Sequence, residues 1–222
     1  MARRLRELLP DAAVVLFLIV VSGGVSLAWG QDINLDLLGY HFYNGYAFVH
    51  GRLDYDFAPA ALRTYLNPVL DAGHYLGIVH LPPRVFGFLL GAFQGLNAVL
   101  IFLMARRVLE RGPGSRLLAV LAGVLAVAGP NARSLAGTTT GDTTVSIPAL
   151  LALLLVLGDQ RFTDKAAGAP LLLGAGFLGG AAMGLKLTMG VFLVALGAVV
   201  GVLVASRRAS MGATAMSSRS PT

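Results

Sequence analysis

Two aspartates four residues apart, Asp32 and Asp36, carry the chemistry this sequence suggests first. They open the string DINLDLLGYHFYNGYAFVHGRLDYD, which follows directly on an apolar run ending at Trp29. Read as a helix at about 100° per residue, positions i and i+4 share a face. Carboxylates one or two turns from a bilayer lose solvation, which raises a carboxyl pKa toward that of a useful general base. On the same reading Asp32, Asp36, Tyr40, Tyr43, Asn44 and His50 fall on a polar arc of about 120°. Leu35, Leu38, Phe42, Tyr46 and Val49 form an apolar arc of about 80°. The helix is expected to lie in the interface, apolar side on lipid or bundle, with its carboxylates facing an aqueous cavity. Asp32 and Asp36 are the candidate catalytic residues, and Asn34, Tyr40, His41, Tyr43 and Asn44 the candidate substrate-binding ones.

Three charges beyond this helix extend the candidate site. Arg84 follows Pro82-Pro83, Asp142 follows Gly141, and Lys186 sits between two apolar runs. Lys186 could simply snorkel to the headgroups, but either cation is placed to hold a lipid phosphate. Carboxylates on one wall and cations on the other suit an anionic, lipid-linked substrate. Asp54-Tyr55-Asp56 has the D-x-D form of nucleotide-sugar enzymes, a match too short to weigh. His41, His50, His74 and His80 lack a tight metal-ligand spacing. No metal or nucleotide site is supported, and the cofactor is left unassigned.

The elements that must position these residues are membrane helices. Of 222 residues 56% are hydrophobic and 13% charged, and mean hydropathy is +0.74, against roughly a quarter charged in a soluble domain. With 0 cysteines there is no disulfide framework or thiol nucleophile. The net charge of +6 sits in short clusters between apolar runs, where topology accounts for it and nucleic acid does not. The chain reads as an all-α membrane protein of about six transmembrane helices: 12–29, 85–104, 117–129, 145–158, 171–184 and 187–205. The first run could be a secretory signal, with Ser26-Leu27-Ala28 as a loose cleavage site, but its length favours a retained helix. Residues 1–206 form this membrane module and 207–222 a disordered tail. The outer loop, 30–84, contains amphipathic interfacial helices, the second around Leu62, Tyr65, Leu66, Val69 and Leu70, broken at Asn67-Pro68. With both termini cytoplasmic, twelve Lys/Arg lie inside and five outside, which follows the positive-inside rule. Span interiors look nearly free of polar residues, which disfavours a transporter.

A transmembrane helix followed at once by an acidic outer loop of interfacial helices resembles the first module of membrane glycosyltransferases of the C-type superfamily. The string from Asp32 to Asp56, the outer Gly141-Asp142 and the later Gly184-Leu185-Lys186-Leu187-Thr188 are similar to its bacterial, mannosyltransferase-like members. The resemblance implies the bacterial inner membrane, a polyprenyl-phosphate sugar donor, an outer-face acceptor, and an acidic base early in the first outer loop. Asp32 and Asp36 both match that base. Inverting displacement is implied, with Lys186 or Arg84 stabilising the leaving phosphate. Such enzymes usually carry more spans, so the chain is expected to be a shortened copy or the front of a longer enzyme. An inactive fragment or a non-catalytic membrane scaffold is the alternative.

Overall fold

A computed structural model describes residues 2–57, 59–110, 112–157 and 165–217, and every regular element among them is helical. Arg111, residues 158–164 with the connector's Arg161, and residues 218–222 with Arg219 lie outside the described residues. Helix α1 spans Ala2–Trp29, α4 Pro83–Gln94, α5 Leu96–Val108, α6 Ser115–Ala128, α8 Asp142–Leu157, α9 Lys165–Leu185 and α10 Gly190–Ser217. Between them lie the helices α2, Phe42–Val49, and α3, Val69–His80, which form a lobe between α1 and α4, and the short α7, Pro130–Ser134.

Three helical stretches are long and apolar enough to cross a membrane: Asp11–Trp29, Pro83–Val108 and Leu187–Ser206. Ser115–Ala128, Asp142–Leu157 and Pro170–Leu185 are apolar but shorter. Helix α6, with 14 residues, rises only about 21 Å against a hydrocarbon core of about 30 Å. The second expected span is longer than 85–104. It begins at Pro83, where proline's fixed φ suits a helix's first position, and α4 passes into α5 at Gly95. Helix α10 continues through 207–217, where a disordered tail was expected; Ala, Met and Arg favour helix there and the next proline is Pro221.

The main pairings are α1 with α4, α5 with α6, and α8 with α9, and α5 also packs on α8. Small residues set the first of these. Gly91 lies against Ser26 so closely that a Cβ would clash, and the Ser26 hydroxyl donates to the Gly87 carbonyl at 2.7 Å. Between membrane helices, where lipid is as apolar as leucine, close backbone approach supplies the packing energy. Leu18, Ala98, Val99, Phe102 and Ala119 fill the adjoining core. At the end opposite Trp29, Asp11 accepts from Arg116 at 2.9 Å and Arg106 at 3.3 Å, tying α1 to α5 and α6.

The segment after Trp29 differs from the single helix expected over 32–50. Helix begins at Leu35, because the Asn34 side chain accepts the Leu37 N–H at 2.8 Å, as an N-cap does. Leu37–His41 then form a π-turn, and α2 continues from Phe42. Asp32 therefore precedes the helix, and the two aspartates do not share a helical face. The polar arc also turns inward in part: His41 and Asn44 are buried, while Leu35 and Leu38 are 87% and 70% exposed. Helix α3 is the reason. It meets α2 so closely that a Cβ on Gly45 would strike the Asp71 carbonyl, and it offers polar partners across that contact. The apolar arc is left largely outward.

Candidate functional site

Asp32 joins the segment that follows α1 to the connector that precedes α8. One carboxylate oxygen accepts the Thr139 N–H at 2.7 Å and the Thr139 hydroxyl at 2.8 Å. The other accepts the Asn34 N–H at 3.1 Å and the Asn34 side-chain amide at 2.5 Å. A carboxylate has about four lone-pair sites, and all are taken.

Thr139 is held there by the segment Gly137–Thr143. Gln94, buried in α4, accepts from the Gly137 N–H at 2.7 Å and donates to the Thr138 carbonyl at 2.8 Å. Asn97 in α5 donates to the Thr143 carbonyl at 2.6 Å and accepts from the Ser146 hydroxyl at 2.7 Å. Gly137 has φ +75° and lies against Ser26, a conformation and a space that exclude a side chain. The expectation of nearly apolar span interiors is thus corrected. Ser26, Gln94 and Asn97 are polar residues inside apolar runs; Ser26 bonds the Gly87 carbonyl of α4, while Gln94 and Asn97 bond the connector's backbone, Asn97 also taking the Ser146 hydroxyl of α8. In a membrane helix such residues mark a constrained site, and that was the available signal.

Two clefts open on either side of Asp32. The larger, about 640 Å³, has Asp32, Thr139 and Arg84 among its polar walls and Leu27, Leu37, Leu38, Phe42, Ile78 and Phe86 among its apolar ones. Among the described residues no carboxylate pairs with Arg84. The smaller, about 450 Å³, is lined by Trp29, Gln31, Asp32, Arg133 and Thr138 among others. Gly30, Gln31, Asp32, Ile33 and Gly137 belong to both.

The remaining candidates separate into four groups. Lys186 and Asp142 pair with each other at 2.7 Å, and Lys186 also donates to the Thr140 carbonyl at 2.8 Å. Their charges hold the connector to the start of α10 and do not face the carboxylate of Asp32. Asp36 lies beside Tyr40. Burial first, then the Asp36 charge, pushes the Tyr40 phenol up, and Arg63, 4.6 Å over the ring, acts in the opposite direction. Tyr43 donates to Asp56, which also takes two bonds from Arg52 at 2.7 and 2.9 Å. That pairing holds the Asp56 carboxyl below its ordinary value, raises the Arg52 guanidinium, and raises the Tyr43 phenol through its bond to Asp56. The D-x-D string is thereby used within the lobe.

His41 and Asn44 belong to a buried cluster that sequence reading did not anticipate. His41 Nδ1 meets Asp71 at 2.7 Å, with both side chains 9% exposed. Asn44 donates to the Arg63 carbonyl at 3.0 Å. His74, one turn beyond Asp71 on α3, is pushed down to about 4 by burial, with His41 adding to the effect and Asp71 and Asp32 opposing it. Among the described residues His41 Nε2, His74 Nδ1 and Asn44 Oδ1 have no partner. Asp71 carried no signal, since a lone aspartate near a helix start reads as ordinary capping. Among the described residues no group of three or more His, Cys, Asp or Glu could hold a metal ion.

Comparison with known proteins returns no matching family model, no matching characterised protein and no matching solved structure.

Proposed function

We propose that the chain is a membrane glycosyltransferase that moves a sugar from a polyprenyl-phosphate donor to an extracytoplasmic acceptor at the Asp32 clefts. One observation carries this reading: the larger cleft joins an acidic residue, an uncommitted arginine and a greasy wall at the end of a spanning helix. An amphiphile with an anionic head fits such a lining, its tail on Leu38, Phe42 and Phe86 and its phosphate on Arg84. In the reaction Asp32 takes the acceptor hydroxyl's proton and that oxygen attacks the anomeric carbon. Polyprenyl phosphate leaves with inversion, its developing charge met by Arg84. The Thr139 hydroxyl is the donor that can turn away from Asp32 without moving backbone, so a lone pair opens when substrate arrives. In this reading six helices cross the bacterial inner membrane, with both termini cytoplasmic and the lobe outside.

Sugar transfer in membranes from a polyprenyl-phosphate donor tests it. Asp32→Asn should lower transfer about a hundredfold or more, the usual weight of a general base, and Asp36→Asn much less. Full transfer by Asp32→Asn would remove the base. A second reading, a non-catalytic membrane scaffold, is favoured by the full hydrogen-bond complement of Asp32. It requires no transfer by any variant, with Asp32→Asn losing only stability.

A further inference from the structure

The smaller cleft has a chemistry of its own. Its about 450 Å³ falls within the range of small-ligand pockets. Most of its polar lining is already committed. The Gly30 N–H bonds the Leu27 carbonyl, the Ser134 hydroxyl the Asn131 carbonyl, the Thr138 hydroxyl the Leu135 carbonyl, and the Gly137 N–H bonds Gln94. Asp32 is saturated by Asn34 and Thr139. Among the described residues three side-chain groups of the lining remain open to a ligand: the Arg133 guanidinium, the Gln31 amide and the Trp29 indole N–H. All three donate. The guanidinium lies 5.4 Å over the Trp29 ring, which pre-orients its planar fork.

We propose that this cleft binds an anionic, hydroxyl-bearing ligand, its phosphate or carboxylate on Arg133 and its hydroxyls within reach of Gln31 and the Trp29 indole. The fixed charge of the Arg133 guanidinium discriminates for an anion over a neutral sugar, and the Gln31 amide can both donate to and accept from its hydroxyls. Because the two clefts share the Asp32 wall, this ligand is the second substrate of the reaction. Only that assignment rests on the glycosyltransferase reading; the binding itself does not.

Trp29 is the only tryptophan in the sequence, so emission excited at the red edge, where tyrosine does not absorb, comes from this cleft's own wall. The full chain in phosphatidylcholine nanodiscs is titrated with glucose 1-phosphate, and glucose is the neutral control. A saturable change in Trp29 emission with the phosphate, far weaker with glucose, is expected. Arg133→Gln should raise the half-saturation concentration roughly tenfold or more, and Arg52→Gln, at a cation that lines neither cleft, should leave it in place. Concentration dependence is compared rather than intensity, because removing the guanidinium alters the resting emission. Discs containing phosphatidylglycerol separate the sources: a response already saturated there and competed by glucose 1-phosphate assigns the anion to a lipid headgroup at the same site. No saturable response in either lipid, or equal affinity in Arg133→Gln, overturns the proposal. Binding without sugar transfer by any variant would keep this site and discard the enzyme reading.

Discussion

Two polar clusters of opposite character meet in the lobe between α1 and α4, one half-buried around Asp32 and one buried around His41. Around Asp32 every carboxylate lone pair is filled, by Asn34 on its own segment and by Thr139 across 107 residues of chain. Around His41, Asp71, His74 and Asn44, one strong contact sits beside three atoms with no partner among the described residues. A filled carboxylate tolerates burial and fixes the clefts on either side of it. An unfilled cluster retains desolvation cost that no described residue offsets. The first is therefore built for position, and the second is where the lobe is weakest and most sensitive to protons.

Asp71 and His74 should respond to removal with opposite signs. Asp71→Ala strips His41 Nδ1 of its partner and leaves an imidazole buried with neither ring nitrogen bonded. That should cost roughly 2 kcal/mol, read as a lower melting temperature in detergent with α2 and α3 losing hydrogen-exchange protection first. His74→Leu removes a buried group whose Nδ1 was already unpartnered, so at neutral pH stability should hold or rise. Acid reveals the difference. The folded state disfavours charging His74, with its pKa near 4 against an ordinary value of 6.5. Its contribution is intact above about pH 6.5 and lost as pH falls toward 4. Wild type should lose up to roughly 3 kcal/mol relative to His74→Leu across that window. Parallel acid curves for the two proteins would show that His74 does not titrate on unfolding.

The same contrast separates what the sequence could reveal from what it could not. Apolar length marked the three helices long enough to cross a membrane, because such helices are specified by local composition. The lobe was legible as helical but not in its facing. The side of α2 that looked polar and solvent-directed is the side α3 covers, and a periodicity argument has no knowledge of the partner helix. Asp32 emerged from its position after Trp29, yet its neighbour Thr139 is remote in sequence and drawn from a run of threonines with no motif. Lys186 and Asp142 were both noticed as outer charges; that they would satisfy each other depended on α8, α9 and α10 converging.

A smaller perturbation tests whether the filled cluster is only structural. Thr139→Val keeps the backbone N–H bond to Asp32 and removes the hydroxyl, a loss of about 1 kcal/mol. If Asp32 is the base, transfer should be retained or increased despite the lower melting temperature, since a lone pair is freed. A fall in transfer that exceeds the stability loss would mean that Asp32 needs both threonine bonds to act, and would favour a positioning role.

The smallest effect belongs to the lobe's exposed ion pair, which shares neither property of the two clusters. Arg52 and Asp56 meet at 2.7 Å with side chains 38% and 24% exposed, and solvent screens such pairs strongly. Arg52→Ala should move the melting temperature by no more than about 2 °C. Its clearer signature is electrostatic. Without the guanidinium the Asp56 carboxyl should rise back toward the ordinary carboxylate range, while Tyr43 keeps its bond to Asp56 and its phenol stays raised. A pH titration of Tyr43 by nuclear magnetic resonance follows this directly. A phenol returned to its ordinary value in Arg52→Ala would show that Arg52, and not Tyr43, holds Asp56 in place, and would make Arg52 the residue that organises the D-x-D string.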